Sequence, residues 1–290
     1  MSIARSPRRP LFRLAAAALL SLAPAPAFAA ATDSQDILMS APDDQVIARH
    51  LSDREDSRGA NVIELVERGR TIWGSRSAYL PGTVTVLWRR QRPDAGPDLI
   101  VGGYTGGSHC SYDVIAIDLD ADQPVQVLSM CNHDLPQVTT DDAGQPRFGL
   151  FFDIEGFNAA SAIVAGVEIP MRWDGDQFIA DPERLLTPPP DHARMDRIDQ
   201  TIRRELAAWS FDDYRAGIGF DATAPETNQA LLGLILEGHA VEARALLFRA
   251  WPDRIAGRDR YWDDFCGAIV HHRLWRQLGL AAIVPVDRLP

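Results

Sequence analysis

Two spacings of apolar residues divide this chain. Thr83-Val84-Thr85-Val86-Leu87-Trp88, Asp98 to Tyr104, Tyr112 to Leu119, Val125 to Met130, Arg147 to Phe152 and Glu168 to Trp173 are β-branched or aromatic runs bounded by Gly, Pro and Asp. Such runs predict strands. Asp174-Gly175 between Trp173 and Asp176-Gln177-Phe178-Ile179 is a type I′ hairpin signal. Pro170, which has no N–H for a ladder, then belongs on an edge or at a strand start. Pro188-Pro189-Pro190 closes this region, and the spacing changes beyond it. Met195, Ile198, Ile202, Leu206 and Trp209 recur at three and four residues, predicting a helix from His192 to about Ser210. Glu226 to Glu237 and Ala240 to Ala250 flank Gly238 as a helical hairpin. A last helix is expected from Tyr261 to Leu278, with Trp262, Phe265, Cys266 and Ile269 inward and His271-His272 straddling its surface edge.

Ahead of Thr83 the pattern is mixed. Val46, Ile47, His50 and Leu51 fall at helical spacing after Pro42-Asp43-Asp44 and predict a short opening helix, while Asn61 to Glu67 fits helix or strand. The expected fold class is α+β: a mixed lead segment over 30–80, a mostly antiparallel β domain over 81–187 and an all-helical C-terminal domain over 191–282.

The first residues alter where this molecule should work. Arg5, Arg8, Arg9 and Arg13 precede an apolar run from Leu14 to Ala23 and then Ala27-Phe28-Ala29, the order of a cleavable signal peptide over 1–29. The apolar run is about half the ~20 residues a membrane-crossing helix needs, so no membrane anchor is expected. The whole chain has 29 basic and 40 acidic residues, a net charge of -11; without those four arginines the balance is 25 against 40, or -15. A field of that sign disfavours nucleic acid and anionic lipid as partners. A periplasmic or secreted protein is expected.

Export changes the reading of the three cysteines, Cys110, Cys131 and Cys266. An oxidising compartment favours one pair. If the turn between the strands at 112–119 and 125–130 centres between Asp120 and Ala121, opposed residues sum to 241 and Cys110 faces Cys131, close enough for a disulfide. Cys266 would then be a buried free thiol.

The segment Pro97-Asp98-Leu99-Ile100-Val101-Gly102-Gly103-Tyr104-Thr105-Gly106-Gly107-Ser108-His109-Cys110 resembles a stretch of the FG-GAP-like repeats of secreted bacterial proteins. Phe152-Asp153-Ile154-Glu155-Gly156-Phe157-Asn158 is similar to the acidic loop that opens such repeats, without its second and third carboxylate-glycine positions. The resemblance covers about a third of the chain after the signal. It implies blade-like β sheets, often with calcium in the acidic loop. The β region, roughly 100 residues, would hold one or two such sheets rather than a closed propeller.

Asp118, Asp120 and Asp122 repeat the 1, 3, 5 spacing of a calcium-wrapping loop, although Gln123 and Ser129 stand where its glycine and glutamate belong. The other reading is a solvated acidic turn. His109 and His133 flank the two cysteines with ligand types suited to zinc, which disulfide formation would consume. His109 as base to Ser108, with Asp134 or Asp113 as orienter, would give a nucleophile, but no G-x-S-x-G elbow surrounds Ser108. The sequence therefore favours an exported, non-enzymatic binding or scaffold protein whose partner is an extracytoplasmic protein or a small molecule. The alternatives are a periplasmic hydrolase built on Ser108 and His109, and a calcium-stabilised module.

Overall fold

The computed structural model describes residues 34–40, 44–51, 60–74, 84–92, 96–104, 112–121, 125–131, 133–154, 165–209 and 224–284. The expected signal peptide lies outside them. The described residues form three four-stranded antiparallel sheets and a set of helices, an α+β arrangement in which the sheets come first.

The lead segment is where the sequence reading fails most. It forms a complete sheet of β1 (Ser34–Ser40), β2 (Asp44–Leu51), β3 (Ala60–Glu67) and β4 (Arg70–Gly74), in that order. The helix expected after Pro42 is strand β2, paired along its length with β3 and on its other side with β1. The cause is tertiary. An isolated eight-residue helix is too short to repay its nucleation, whereas the same stretch gains two ladders and buries Val46 against the next sheet.

The second sheet is β5 (Thr85–Arg89), β6 (Leu99–Tyr104), β7 (Tyr112–Ile117) and β8 (Val125–Met130). The third is β9 (Thr139–Thr140), β10 (Pro146–Asp153), β11 (Gly166–Trp173) and β12 (Phe178–Ala180). Each sheet is a meander in which sequence neighbours are spatial neighbours. The second sheet is apolar on both faces because both are covered. Leu99, Val101, Ile115 and Ile117 pack on Val46, Ile63 and Leu65 of the first sheet. Ile100, Val114, Ala116, Leu128 and Met130 instead share a core with Phe148, Leu150, Phe152, Ile169 and Met171 of the third sheet and with the helices. Burying each such side chain is worth about 1.5–3 kcal/mol. A bulge between Val86 and Trp88 turns Trp88 to the third-sheet side, where its Nε1 donates to Thr140 Oγ1 at 3.2 Å.

Two details of the expected hairpins change. The last turn is closed by Asp174 N–H donating to Gln177 O at 3.0 Å, so it centres on Gly175-Asp176, with Gly175 at φ 113°, and not on Asp174-Gly175. The Asp174 side chain accepts from the N–H groups of Asp176 and Gln177, which selects this frame. Pro170 sits inside β11, opposite Gly149. Its carbonyl points to the side where β12 has already ended and accepts from Asp181 N–H at 2.7 Å, so no ladder donor is missed.

The helices are α1 (Pro182–Leu185), α2 (His192–Ala207), α3 (Pro225–Leu236), α4 (Ala240–Ala250), α5 (Arg258–His271), α6 (Arg273–Gln277) and α7 (Leu280–Ile283). Asp191 caps α2 by accepting from Arg194 N–H, and Ile202 and Leu206 are buried as their spacing requires. Gly238, at φ 95°, makes the sharp turn from α3 to α4. Trp209, Trp251 and Tyr261 meet with ring centroids 5.3–5.4 Å apart. The single helix expected from Tyr261 to Leu278 is broken at His272, whose extended backbone (ψ 138°) ends α5 and whose Nδ1 caps α6 by accepting from Leu274 N–H at 3.2 Å.

That break brings α6 onto the free edge of β8. Arg273 Nη2 donates to Ser129 O at 2.8 Å and Gln277 Nε2 to Val127 O at 2.9 Å. Gln126, also on β8, closes both bonds of a strand-like pair with Phe178: its Nε2 donates to Phe178 O at 2.9 Å and its Oε1 accepts from Phe178 N–H at 2.7 Å. An edge that would otherwise offer unpaired carbonyls is sealed by side chains.

Candidate functional site

Turns from two sheets frame a cleft. The β7–β8 turn contributes Asp118, Asp120 and Ala121, and the β11–β12 turn contributes Trp173 to Asp176; Arg90, Gly96 and Gln145 complete a volume of about 640 Å³. Arg90 and Asp120 also wall an adjoining hollow of about 530 Å³ with Met39, Arg89 and Asp98.

The floor is an ordered charge cluster. Arg90 pairs with Asp98 and, at 3.5 Å, with Asp120. Asp98 Oδ2 accepts from Leu119 N–H at 2.8 Å, and Asp118 Oδ1 accepts from Asp120 N–H at 3.2 Å. Asp118 is 8% exposed. Burial, with the Asp98 and Asp120 carboxylates beside it, raises its carboxyl above the ordinary range despite the Asp120 N–H and Arg90. Two of the three expected calcium ligands are therefore held in a turn whose positive charge is a guanidinium; Asp122 lies outside the described residues. Among the described residues no group of three or more His, Cys, Asp or Glu is arranged to hold a metal ion.

Ser108, His109 and Cys110 also lie outside the described residues. His133 stacks on Phe151 with centroids 5.0 Å apart, and its Nδ1 lies 3.1 Å from the backbone carbonyl oxygen of Asp134. Asp113 sits in β7 opposite Ser129.

The register of β7 against β8 differs by one residue from that expected. Residues of β7 and β8 pair as Tyr112 with Met130 and Ile117 with Val125, a sum of 242 and not 241, because the connection is one residue longer than an Asp120/Ala121 centre allows. Cys110, on which the expected opposition depends, lies outside the described residues. Cys131 is nevertheless disulfide-bonded, while Cys266 is free and buried. Burial pushes the Cys266 thiol up to about 12. Arg273 Nη2 lies 3.0 Å from Cys131 Sγ.

Two further polar groupings were not legible in the sequence. His272, expected at the surface edge of its helix, is mostly buried against Phe152, with centroids 4.5 Å apart. Burial, reinforced by Arg273, holds its pKa down at about 4. Its Nε2 is 3.8 Å from Asp153 Oδ1, too long for a hydrogen bond, and a neutral ring makes this a packing contact rather than an ion pair. Elsewhere Thr187 Oγ1 contacts both Glu237 Oε2 (3.1 Å) and His239 Nε2 (3.0 Å), and Arg194 grips Glu237 at 2.6 and 2.7 Å. With Thr187 N–H donating to Glu237 O, this set fastens the segment before α2 to the α3–α4 turn. Only the proximity of α2 to that turn could have revealed it, and a single sequence does not carry that.

Among the described residues no helix is long and apolar enough to cross a membrane. No family model, curated protein or solved structure matches the chain.

Proposed function

We propose that this chain is an exported binding or scaffold protein whose contact site is the polar cleft between the β7–β8 and β11–β12 turns. The observation that carries this reading is the cleft itself: turns from two sheets locked to each other through a shared core present Trp173, Arg90 and several carboxylates around about 640 Å³. A rigid frame with a few polar groups and an aromatic wall at its turns is a common way to present a ligand site.

On this reading 1–29 is a signal peptide, 81–187 acts as the β part, 191–282 as the helical part, and Cys110 is the partner of Cys131. An oxidising compartment would keep such a pair as a disulfide and leave the buried Cys266 free. The ligand is an extracytoplasmic protein or a small polar molecule. Crosslinking in intact cells followed by mass spectrometry tests the reading. A reproducible partner that is lost in Trp173→Ala and Asp176→Arg, while circular dichroism stays that of the parent, is the expected result. Adducts that persist in both variants would move the contact site elsewhere, and their complete absence would overturn a binding role.

A further inference from the structure

The outer face of the third sheet carries a second concavity, which shares no lining residue with the cleft at its turns. Side chains of β10 alternate between the core and this face, so Arg147, Gly149 and Phe151 share it with their β11 partners Arg172, Pro170 and Glu168. The small Gly149 beside Pro170 leaves a hollow in the middle of that row. Leu135 and Pro136, which precede β9, and Arg184 of α1, which follows β12, help to wall a volume of about 340 Å³.

The hollow offers groups of both signs, each with bonding capacity to spare. Arg147 is pinned by two carboxylates: its Nε donates to Asp141 Oδ2 at 2.9 Å and its Nη1 to Asp181 Oδ2 at 3.1 Å. Asp181, 4% exposed, also donates its N–H to Pro170 O at 2.7 Å and caps α1 through Glu183 N–H, which fixes the helix bearing Arg184 beside the sheet. Among the described residues Arg147 Nη2 and the Arg184 guanidinium have no partner, so both keep donors for an anion. Two residues along β10, about 7 Å away, the Glu168 side chain lies in the space that a Cβ at Gly149 would fill. Its carboxylate has no hydrogen bond or ion pair among the described residues. His133, stacked on Phe151, lines the same end.

We propose that this hollow is a binding site for a free α-amino acid with an apolar side chain. Its ammonium group donates to Glu168, its carboxylate accepts from Arg147 Nη2 and Arg184, and its side chain packs on Leu135, Pro136 and Pro170. The short separation of the two charged ends suits an ammonium and a carboxylate on one carbon. The volume is at the small end of the ~300–1,000 Å³ typical of ligand pockets, which suits a single amino acid better than a peptide.

Isothermal titration of the dialysed protein with L-leucine, N-acetyl-L-leucine and L-leucinamide tests the site. Leucine should bind at one per chain. Each analogue loses one charged end and should bind at least about tenfold more weakly, the size expected for a hydrogen bond to a charged group. Glu168→Gln and Arg184→Gln alter exposed side chains and should each weaken leucine by a similar factor. Gly149→Ala, which evicts the Glu168 side chain from the hollow, should do the same. Asp176→Arg, a change in the other cleft, should leave the affinity as it was. No heat at millimolar leucine, leucinamide or N-acetyl-leucine binding as well as leucine, or an affinity unaltered in Glu168→Gln would overturn the proposal. Loss of binding in Asp176→Arg would place the amino acid in the other cleft and overturn it likewise. The analogue series uses the parent protein alone, so it decides even where a variant fails to fold.

Discussion

His272 provides the sharpest test of the packing between α5, α6 and the third sheet. In the folded chain its pKa is about 4, against 6.5 for an ordinary histidine, because burial disfavours the charged ring and Arg273 repels it. Above pH 6.5 neither folded nor unfolded chain carries the proton. As pH falls from 6.5 toward 4, the unfolded chain takes it up and the folded chain does not, so stability is lost across that window and levels off below it. A shift of this size corresponds to at most about 3 kcal/mol at 1.36 kcal/mol per unit. The ring keeps some solvent contact, so about 2 kcal/mol is the expected loss. His272→Asn isolates it. Asparagine retains an oxygen to cap α6 at Leu274 N–H but does not titrate between pH 4 and 7. Loss of the ring from Phe152 lowers stability by a constant amount, and carboxylates remote from the ring contribute to both proteins alike. Urea unfolding followed by tryptophan fluorescence at several pH values should give a parent curve that falls more steeply below pH 6.5 than the variant's, by about 2 kcal/mol at its lower end. Parallel curves would show that His272 is solvated and free to protonate, and would refute its placement against Phe152.

Four more outcomes follow from the structure. A methyl group at Gly102 would meet both δ carbons of the half-buried Leu135 at 2.6 and 2.9 Å, so Gly102→Ala should cost about 1–3 kcal/mol in chemical denaturation; at Gly149 the obstacle is the exposed Glu168 side chain, which swings clear, so Gly149→Ala should lie within about 1 kcal/mol of the parent. Phe152→Ala empties a site sealed between β10 and His272 and should cost about 3–5 kcal/mol, read as a lowered urea midpoint at unchanged slope. With Arg90 already paired to Asp98 and Asp120, millimolar calcium should leave the melting temperature within about a degree of its value in chelator; a rise of several degrees would mean that the cation displaces the guanidinium.

Most of the strands and helices were legible because their apolar spacing is local. Val125 to Met130 is a strand with the expected limits, and Ile202 and Leu206 are buried on the expected face of α2. The failures have a common origin in partners distant along the chain. Asp44–Leu51 has the spacing of a short helix, and only β1 and β3 beside it make it a strand. His272 looks like a helical surface residue until the backbone turns there and tucks the ring against Phe152. The β7–β8 register slipped by one because the seven-residue connection between Ile117 and Val125 does not announce its centre. At the cleft, Asp118 and Asp120 stood out by their spacing, whereas Arg90 and Trp173 join them only through the stacking of two sheets.

The sealing of β8 by Arg273 and Gln277 also sets an order of events. These residues are separated from the carbonyls they occupy by 144 and 150 positions, so during synthesis the second sheet exists as a chain long before its guard does. Until residues 273–277 arrive, Val127 and Ser129 present open acceptors to any passing strand, an invitation to aggregate. A fragment ending near residue 255 should therefore be recovered as insoluble β-rich material rather than as a smaller soluble domain, and a holdase that occupies this edge during synthesis would spare the chain that fate.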